Sequence, residues 1–160
     1  MPNVLVLCTG NSARSILAEA LLNQLGNGVW RGFSAGSKPV GRINPHALAL
    51  LEAKGHDITC LSSKSWDVFA GPDAPPMDLI ITVCDSAAGE SCPVWPGHPL
   101  LSHWGMPDPA SVSGDQAEID TAFAATYDKL HQRISALVAL PLHQLPRAQA
   151  KAFIDRIGTA

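Results

Sequence analysis

The chain opens with Asn3-Val4-Leu5-Val6-Leu7, an apolar run without alternation, which predicts a parallel strand buried on both faces. Apolar residues then recur at Ile16, Leu17, Ala20, Leu21, Leu22 and Leu25, the spacing of a helix, until Gly26 and Gly28 stop it. A short strand is expected from Trp30 to Ala35, followed by a Gly-Ser-Lys-Pro loop. Asn44-Pro45 supplies the cap and first turn of a second helix that contains Leu48, Leu50 and Leu51 and ends at Gly55. Ser65 to Ala70 fits a brief helix before the break Gly71-Pro72-Asp73-Ala74-Pro75-Pro76. Leu79-Ile80-Ile81-Thr82-Val83 then reads as a second strongly buried strand, ending at Cys84.

From Asp85 to Pro109 the chain is rich in Gly, Pro, Ser and Ala, the composition of a functional loop system, with a short strand near Leu101 to His103. Ile119, Phe123, Tyr127, Leu130, Ile134 and Leu137 step by three or four residues and predict a long amphipathic helix from Gln116 that ends before Pro141. Pro146 to Ile157 carries a helical pattern through Ala150, Phe153, Ile154 and Ile157, which suits either a cover for one sheet face or a dimer contact. No internal repeat is visible. The alternation of strands and helices predicts one domain over residues 1–160, a doubly wound α/β sheet with right-handed crossovers.

Composition narrows the partners. A chain of 160 residues can bury a sizeable core, while a net charge of -3 with 11 scattered Lys and Arg provides no basic field for nucleic acid. No basic leader precedes a long apolar segment and no stretch approaches a membrane span, so a cytoplasmic protein is expected. In that reducing setting the four cysteines read as free thiols, metal ligands or redox groups rather than a disulfide framework. Cys8, Cys60, Cys84 and Cys92 contain no C-x2-C pair and the six histidines form no ligand doublet, so no metal site is expected. Cys60 reads as a packed residue. Cys8 and Cys84 both fall where buried strands end, the edge at which open parallel sheets bind ligands.

The segment Cys8-Thr9-Gly10-Asn11-Ser12-Ala13-Arg14-Ser15 carries the chemistry. It joins a buried strand to a helix, so the amides of the loop and the positive end of the helix dipole favour an anion. Arg14 adds a forked cation able to grip two oxygens of a tetrahedral oxyanion. The same field favours a thiolate at Cys8, and activated cysteines of this kind fall from about 8.5 into a range of roughly 3.5 to 7.5. Ser15 can reach back to that sulfur. Asp108, held by Pro109 on a Gly/Pro-rich segment, is a candidate general acid.

Taken with His103-Trp104-Gly105-Met106-Pro107-Asp108-Pro109 and the loop after Val83, this first loop resembles that of bacterial arsenate reductases of the low-molecular-weight tyrosine phosphatase fold. The resemblance runs from Met1 to about Leu140. It implies a flavodoxin-like four-stranded parallel sheet flanked by helices. It also implies that Thr9, Gly10, Asn11, Ser12, Ala13, Arg14 and Ser15 hold the oxyanion, with Asn11 and Ser15 supporting the loop and thiolate. Cys8 would then be the nucleophile and Asp108 the acid for the departing oxygen.

The activity implied is reduction of arsenate to arsenite for arsenic detoxification, through a relay of Cys8, Cys84 and Cys92. No tightly bound cofactor is implied, only an external thiol reductant: thioredoxin, or else glutaredoxin or a small thiol. Arsenic on Cys8 can be reduced when a second thiol attacks the adduct, whereas phosphorus cannot follow that course. The alternative is a low-molecular-weight protein tyrosine phosphatase using Cys8, Arg14 and Asp108. Such enzymes place aromatic residues near the acid, yet Ala110, Ser111 and Val112 follow here, and the single tyrosine, Tyr127, lies on the long helix. A noncatalytic oxyanion- or arsenite-binding protein is the third reading. Two departures from the family stand out: Ala13 replaces the additional cysteine of some members, and the cation site of some relatives is matched by Glu19 and Ser34 but lacks an acidic partner near Ser63 and Lys64. No tight metal requirement is therefore expected.

Overall fold

The computed structural model describes residues 2–84, 95 and 98–159. Four strands, β1 (Asn3–Leu7), β2 (Arg31–Ala35), β3 (Leu79–Thr82) and β4 (Leu100–His103), pair in parallel in the order β2-β1-β3-β4. Val6 stands opposite Ser34 on one side and Ile81 on the other, so β1 is central and its unbroken apolar run is explained by burial on both faces. The chain leaves β1 for β2 and leaves β3 for β4 in opposite directions. A crevice therefore opens between the carboxyl ends of β1 and β3, the switch point at which such sheets take ligands.

The pleat sorts β1 into two cores. Val4 and Val6 join one built with α1 (Arg14–Leu25), α2 (Pro45–Ala53), α3 (Gln116–Val138) and α4 (Arg147–Ile157). Leu5 and Leu7 join another with Phe69, Met77, Ile80 and Trp95, where Trp66 and Trp95 meet edge to face with centroids 6.2 Å apart. Every residue of α1 from Ser15 to Leu22 is buried, because the helix is enclosed by β1, β2, α2 and α3.

The elements differ from the sequence pattern in instructive places. Ser65 to Ala70, expected as a brief helix, forms a 3-10 turn over Trp66–Phe69, capped by the Ser65 side chain on the Asp67 N–H. Between a dimer contact and a cover for the sheet, the C-terminal segment takes the second role within the chain. Helix α4 buries Ala150 and Ile154 beside β4, Lys151 donates to the Leu101 carbonyl at 2.9 Å, and Arg147 donates to those of His98 and Pro99. These cations shield an edge strand. Among the described residues no helix is long and apolar enough to cross a membrane.

Candidate active site

The loop Cys8 to Ala13 turns from β1 into α1 with its carbonyls tied outward. Lys38 N–H donates to the Thr9 carbonyl, Val40 N–H to that of Gly10, and Asn44 N–H to that of Ser12, at 2.9 to 3.0 Å. Ser63 adds a hydroxyl donor to Gly10. These bonds occupy the carbonyls of Thr9, Gly10 and Ser12, and the loop leads straight into the N-terminus of α1, an end at which backbone amides favour an anion. Helix α1 begins without a capping side chain, consistent with an N-terminus arranged for an anion.

Asn11 sets the turn. It is fully buried at φ 47°, a left-handed conformation that asparagine tolerates better than most residues. Its Nδ2 donates to Ser15 Oγ at 2.8 Å, and its Oδ1 accepts the Lys64 N–H at 2.8 Å. Ser15 Oγ, already receiving that N–H, lies 3.0 Å from Cys8 Sγ, within hydrogen-bond reach of the sulfur. Gly36 passes behind the loop so closely that a Cβ would overlap the Thr9 carbonyl oxygen and come within 2.8 Å of that of Cys8.

Cys8 and Cys84 are both buried, at 4% and 6% exposure, at the ends of adjacent strands. The Cys84 sulfur accepts the Thr9 N–H at 3.3 Å and stands 3.5 Å from Thr9 Oγ1. Thr9, expected among the oxyanion ligands, thus directs its amide to the second sulfur. The structure brings Cys8, Thr9, Arg14, Ser15, Cys84 and Asp108 to one crevice; Cys92 lies outside the described residues. Arg14 Nη1 donates to the Met106 carbonyl at 3.1 Å and Nη2 lies 3.6 Å from Asp108 Oδ2. Asp108 caps the short 3-10 turn Pro109–Ser111, its Oδ1 accepting the Ala110 N–H at 3.0 Å. An oxyanion entering the cradle competes with the Asp108 carboxylate for the Arg14 fork.

Behind the loop, Glu19 is buried on α1, accepts the Ser34 hydroxyl, and faces Lys64 Nζ at 3.8 Å. Burial raises the Glu19 carboxyl above its ordinary 4.5 and lowers the Lys64 ammonium from its ordinary 10.5. Since the ammonium group already supplies the positive charge opposite Glu19, this pair does not suit a bound cation. Among the described residues no cluster of three His, Cys, Asp or Glu side chains could hold a metal ion.

The sequence reading missed Lys64, Ser63 and Gly36, which clasp the loop from more than 25 positions away with no local motif to signal it. It also misplaced Cys60. Asp57 Oδ1 accepts both the N–H and the hydroxyl of Thr59, at 3.0 and 2.7 Å, closing a turn that leaves Cys60 exposed rather than packed. That thiol borders a separate cavity of about 350 Å³ with Glu19, Asn23 and His56.

Comparison with known proteins places the chain in a family. Residues 3–150 match the low molecular weight phosphotyrosine protein phosphatase family. The chain is 35% identical to the arsenate reductase of Bacillus subtilis over 128 residues, 80% of this chain and 88% of that one. A solved arsenate reductase in its phosphate-binding state superimposes with a TM-score of 0.70 at 26% identity, over 87% of this chain and 98% of its own. A thioredoxin-dependent arsenate reductase of Corynebacterium glutamicum superimposes with a TM-score of 0.58 at 28% identity, over 84% of this chain and 62% of its own.

Proposed function

The chain belongs to the low molecular weight phosphotyrosine protein phosphatase family, and we propose that within it this protein reduces arsenate to arsenite with thiols as the electron source. The observation that carries the reading is the second sulfur against the nucleophile's loop: Cys84, just past β3, accepts the N–H of Thr9, the residue after Cys8. A phosphatase ends its cycle with water and has no use for that thiol. A reductase needs it.

In this reading the Cys8 thiolate attacks arsenic, held by the loop amides and the Arg14 fork, as one arsenic–oxygen bond breaks and the departing oxygen takes the Asp108 proton to leave as water. The Cys84 thiolate then attacks Cys8 Sγ. The sulfur–arsenic bond breaks with its electron pair staying on arsenic, so As(V) leaves as As(III) and a Cys8 to Cys84 disulfide remains. The Thr9 N–H and Oγ1, at 3.3 and 3.5 Å, hold the attacking Cys84 sulfur beside the loop. Cys92 next exchanges with Cys84, freeing Cys8 and presenting a Cys84 to Cys92 bond to an external dithiol of the thioredoxin type. No tightly bound cofactor enters this scheme.

The test is arsenate-dependent NADPH oxidation with thioredoxin and its reductase, beside hydrolysis of an aryl phosphate. Arsenate turnover that dominates, and that Cys8→Ser abolishes together with any phosphatase activity, is the expected result. Aryl phosphate hydrolysis without arsenite production would make the protein a phosphatase, and substantial turnover by Cys8→Ser would remove the nucleophile assignment.

A further inference from the structure

Trp104 directly follows β4, four residues before Asp108, and is held on every side. Its N–H donates to the Thr82 carbonyl at 2.7 Å, its carbonyl accepts from Arg133 Nη1 at 3.3 Å, and its indole Nε1–H donates to the Ile154 carbonyl of α4 at 3.1 Å. Gly158, just past α4, lies against the indole so tightly that a Cβ would overlap Trp104 Cδ1 and stand 2.9 Å from Nε1. Two residues after Trp104, Met106 fixes Arg14 through its carbonyl. A cleft of about 500 Å³ opens between the segment Gly105–Pro109 and α3, so the segment is held at discrete points, Trp104 at its start and the Met106 N–H on the Val83 carbonyl at 3.2 Å, rather than by continuous packing on that helix. Ile154 and Gly158 both lie beyond the residues that match the family.

We propose that α4 is a positioning brace for the acid segment: by clamping the Trp104 indole between the Ile154 carbonyl and Gly158, it fixes where Asp108 stands over the oxyanion cradle. This rests on the reading of Asp108 as the general acid. Trp104 and Gly158 touch no substrate and act through Asp108. Loosening the clamp slows proton delivery to the departing oxygen, while the loop amides and the Arg14 fork still bind the anion.

A double-mutant cycle in the full chain tests it. Gly158→Ala pushes on the indole; Trp104→Phe removes the indole donor and shrinks the ring while keeping an aromatic side chain, and serves if Gly158→Ala folds poorly. Each is made alone and with Asp108→Asn, and kcat/KM for arsenate is measured across pH beside inhibition by inorganic phosphate. General acid catalysis is worth about 10²–10⁴-fold, so each single variant is expected to lose on the order of tenfold in kcat/KM with its phosphate inhibition constant unchanged. In the Asp108→Asn background neither should cost anything further, because the group being positioned is gone. Equal losses in both backgrounds, or wild-type rates in both single variants while Asp108→Asn is slow, would overturn the brace. A wild-type rate for Asp108→Asn itself would overturn the acid assignment first, and is visible in that single variant.

Discussion

Asn11 does three things that alanine cannot do in its place. It sits in the left-handed region at φ 47°, donates to Ser15, and accepts from the Lys64 backbone, all at zero exposure. Truncation leaves the Lys64 N–H without its acceptor, frees the Ser15 hydroxyl that Asn11 holds beside Cys8, and puts alanine in a strained conformation. Losses of this kind cost about 1–3 kcal/mol each, with partial relaxation, so Asn11→Ala should destabilise the fold by roughly 2–4 kcal/mol in urea unfolding. It should also lower kcat/KM for arsenate in the fraction that remains folded. A variant as stable as wild type would show that the loop holds itself. That Asn11 suits a tight turn and that Ser15 can reach the Cys8 sulfur was legible in the residues, while their role as supports was implied by the family resemblance. Lys64 was not legible, since a backbone N–H 53 positions away carries no sequence signature.

Helix α1 raises a different question, why a carboxylate stands among its buried residues. Glu19 is raised mainly by desolvation, against the opposing effects of the Ser34 hydrogen bond and Lys64. A carboxyl whose folded value lies above its unfolded value contributes stability below the unfolded value, and that contribution is lost as pH rises through the folded one. The stability of wild type relative to Glu19→Gln should therefore fall as pH is raised from about 4 towards neutrality, whatever the constant offset between the two. Urea unfolding of both proteins across that range measures it; parallel curves would mean that the carboxyl keeps its ordinary affinity for protons in the fold. At this scale the strands and the helices α1, α2 and α3 were readable because burial on both faces, or along one stripe, writes a periodicity. The 3-10 turn at Trp66–Phe69 and the exposure of Cys60 were not. Each depends on one side-chain cap, Ser65 or Asp57, competing with the helix over a few residues.

Across the whole molecule, the order β2-β1-β3-β4 turns two strand ends 75 positions apart in sequence into one crevice, and so brings Cys84 to Thr9. The apolar runs and the cysteines that end them announced that edge; the Thr9 to Cys84 hydrogen bond needed the register of β1 against β3, which periodicity does not give. The same topology buries both sulfurs, so a disulfide between Cys8 and Cys84 forms where a protein-sized reductant has poor access. In the proposed relay a third thiol carries the oxidising equivalents outward, and Cys92, eight positions after Cys84 in the same chain, is the candidate beside the exposed Cys60. Cys92→Ser should therefore release about one arsenite per active site and stop with Cys8 bonded to Cys84, since every step through arsenite departure is intact. Wild type, with the reductant withheld, should accumulate Cys84 bonded to Cys92 with Cys8 free, while Cys60→Ser should sustain repeated turnover. Peptide mapping by mass spectrometry separates these species. If Cys92→Ser turns over normally with thioredoxin, or oxidised wild type holds only the Cys8 to Cys84 bond, the outward step is made by an external small thiol that reaches the crevice directly, and the chain carries a two-thiol rather than a three-thiol relay.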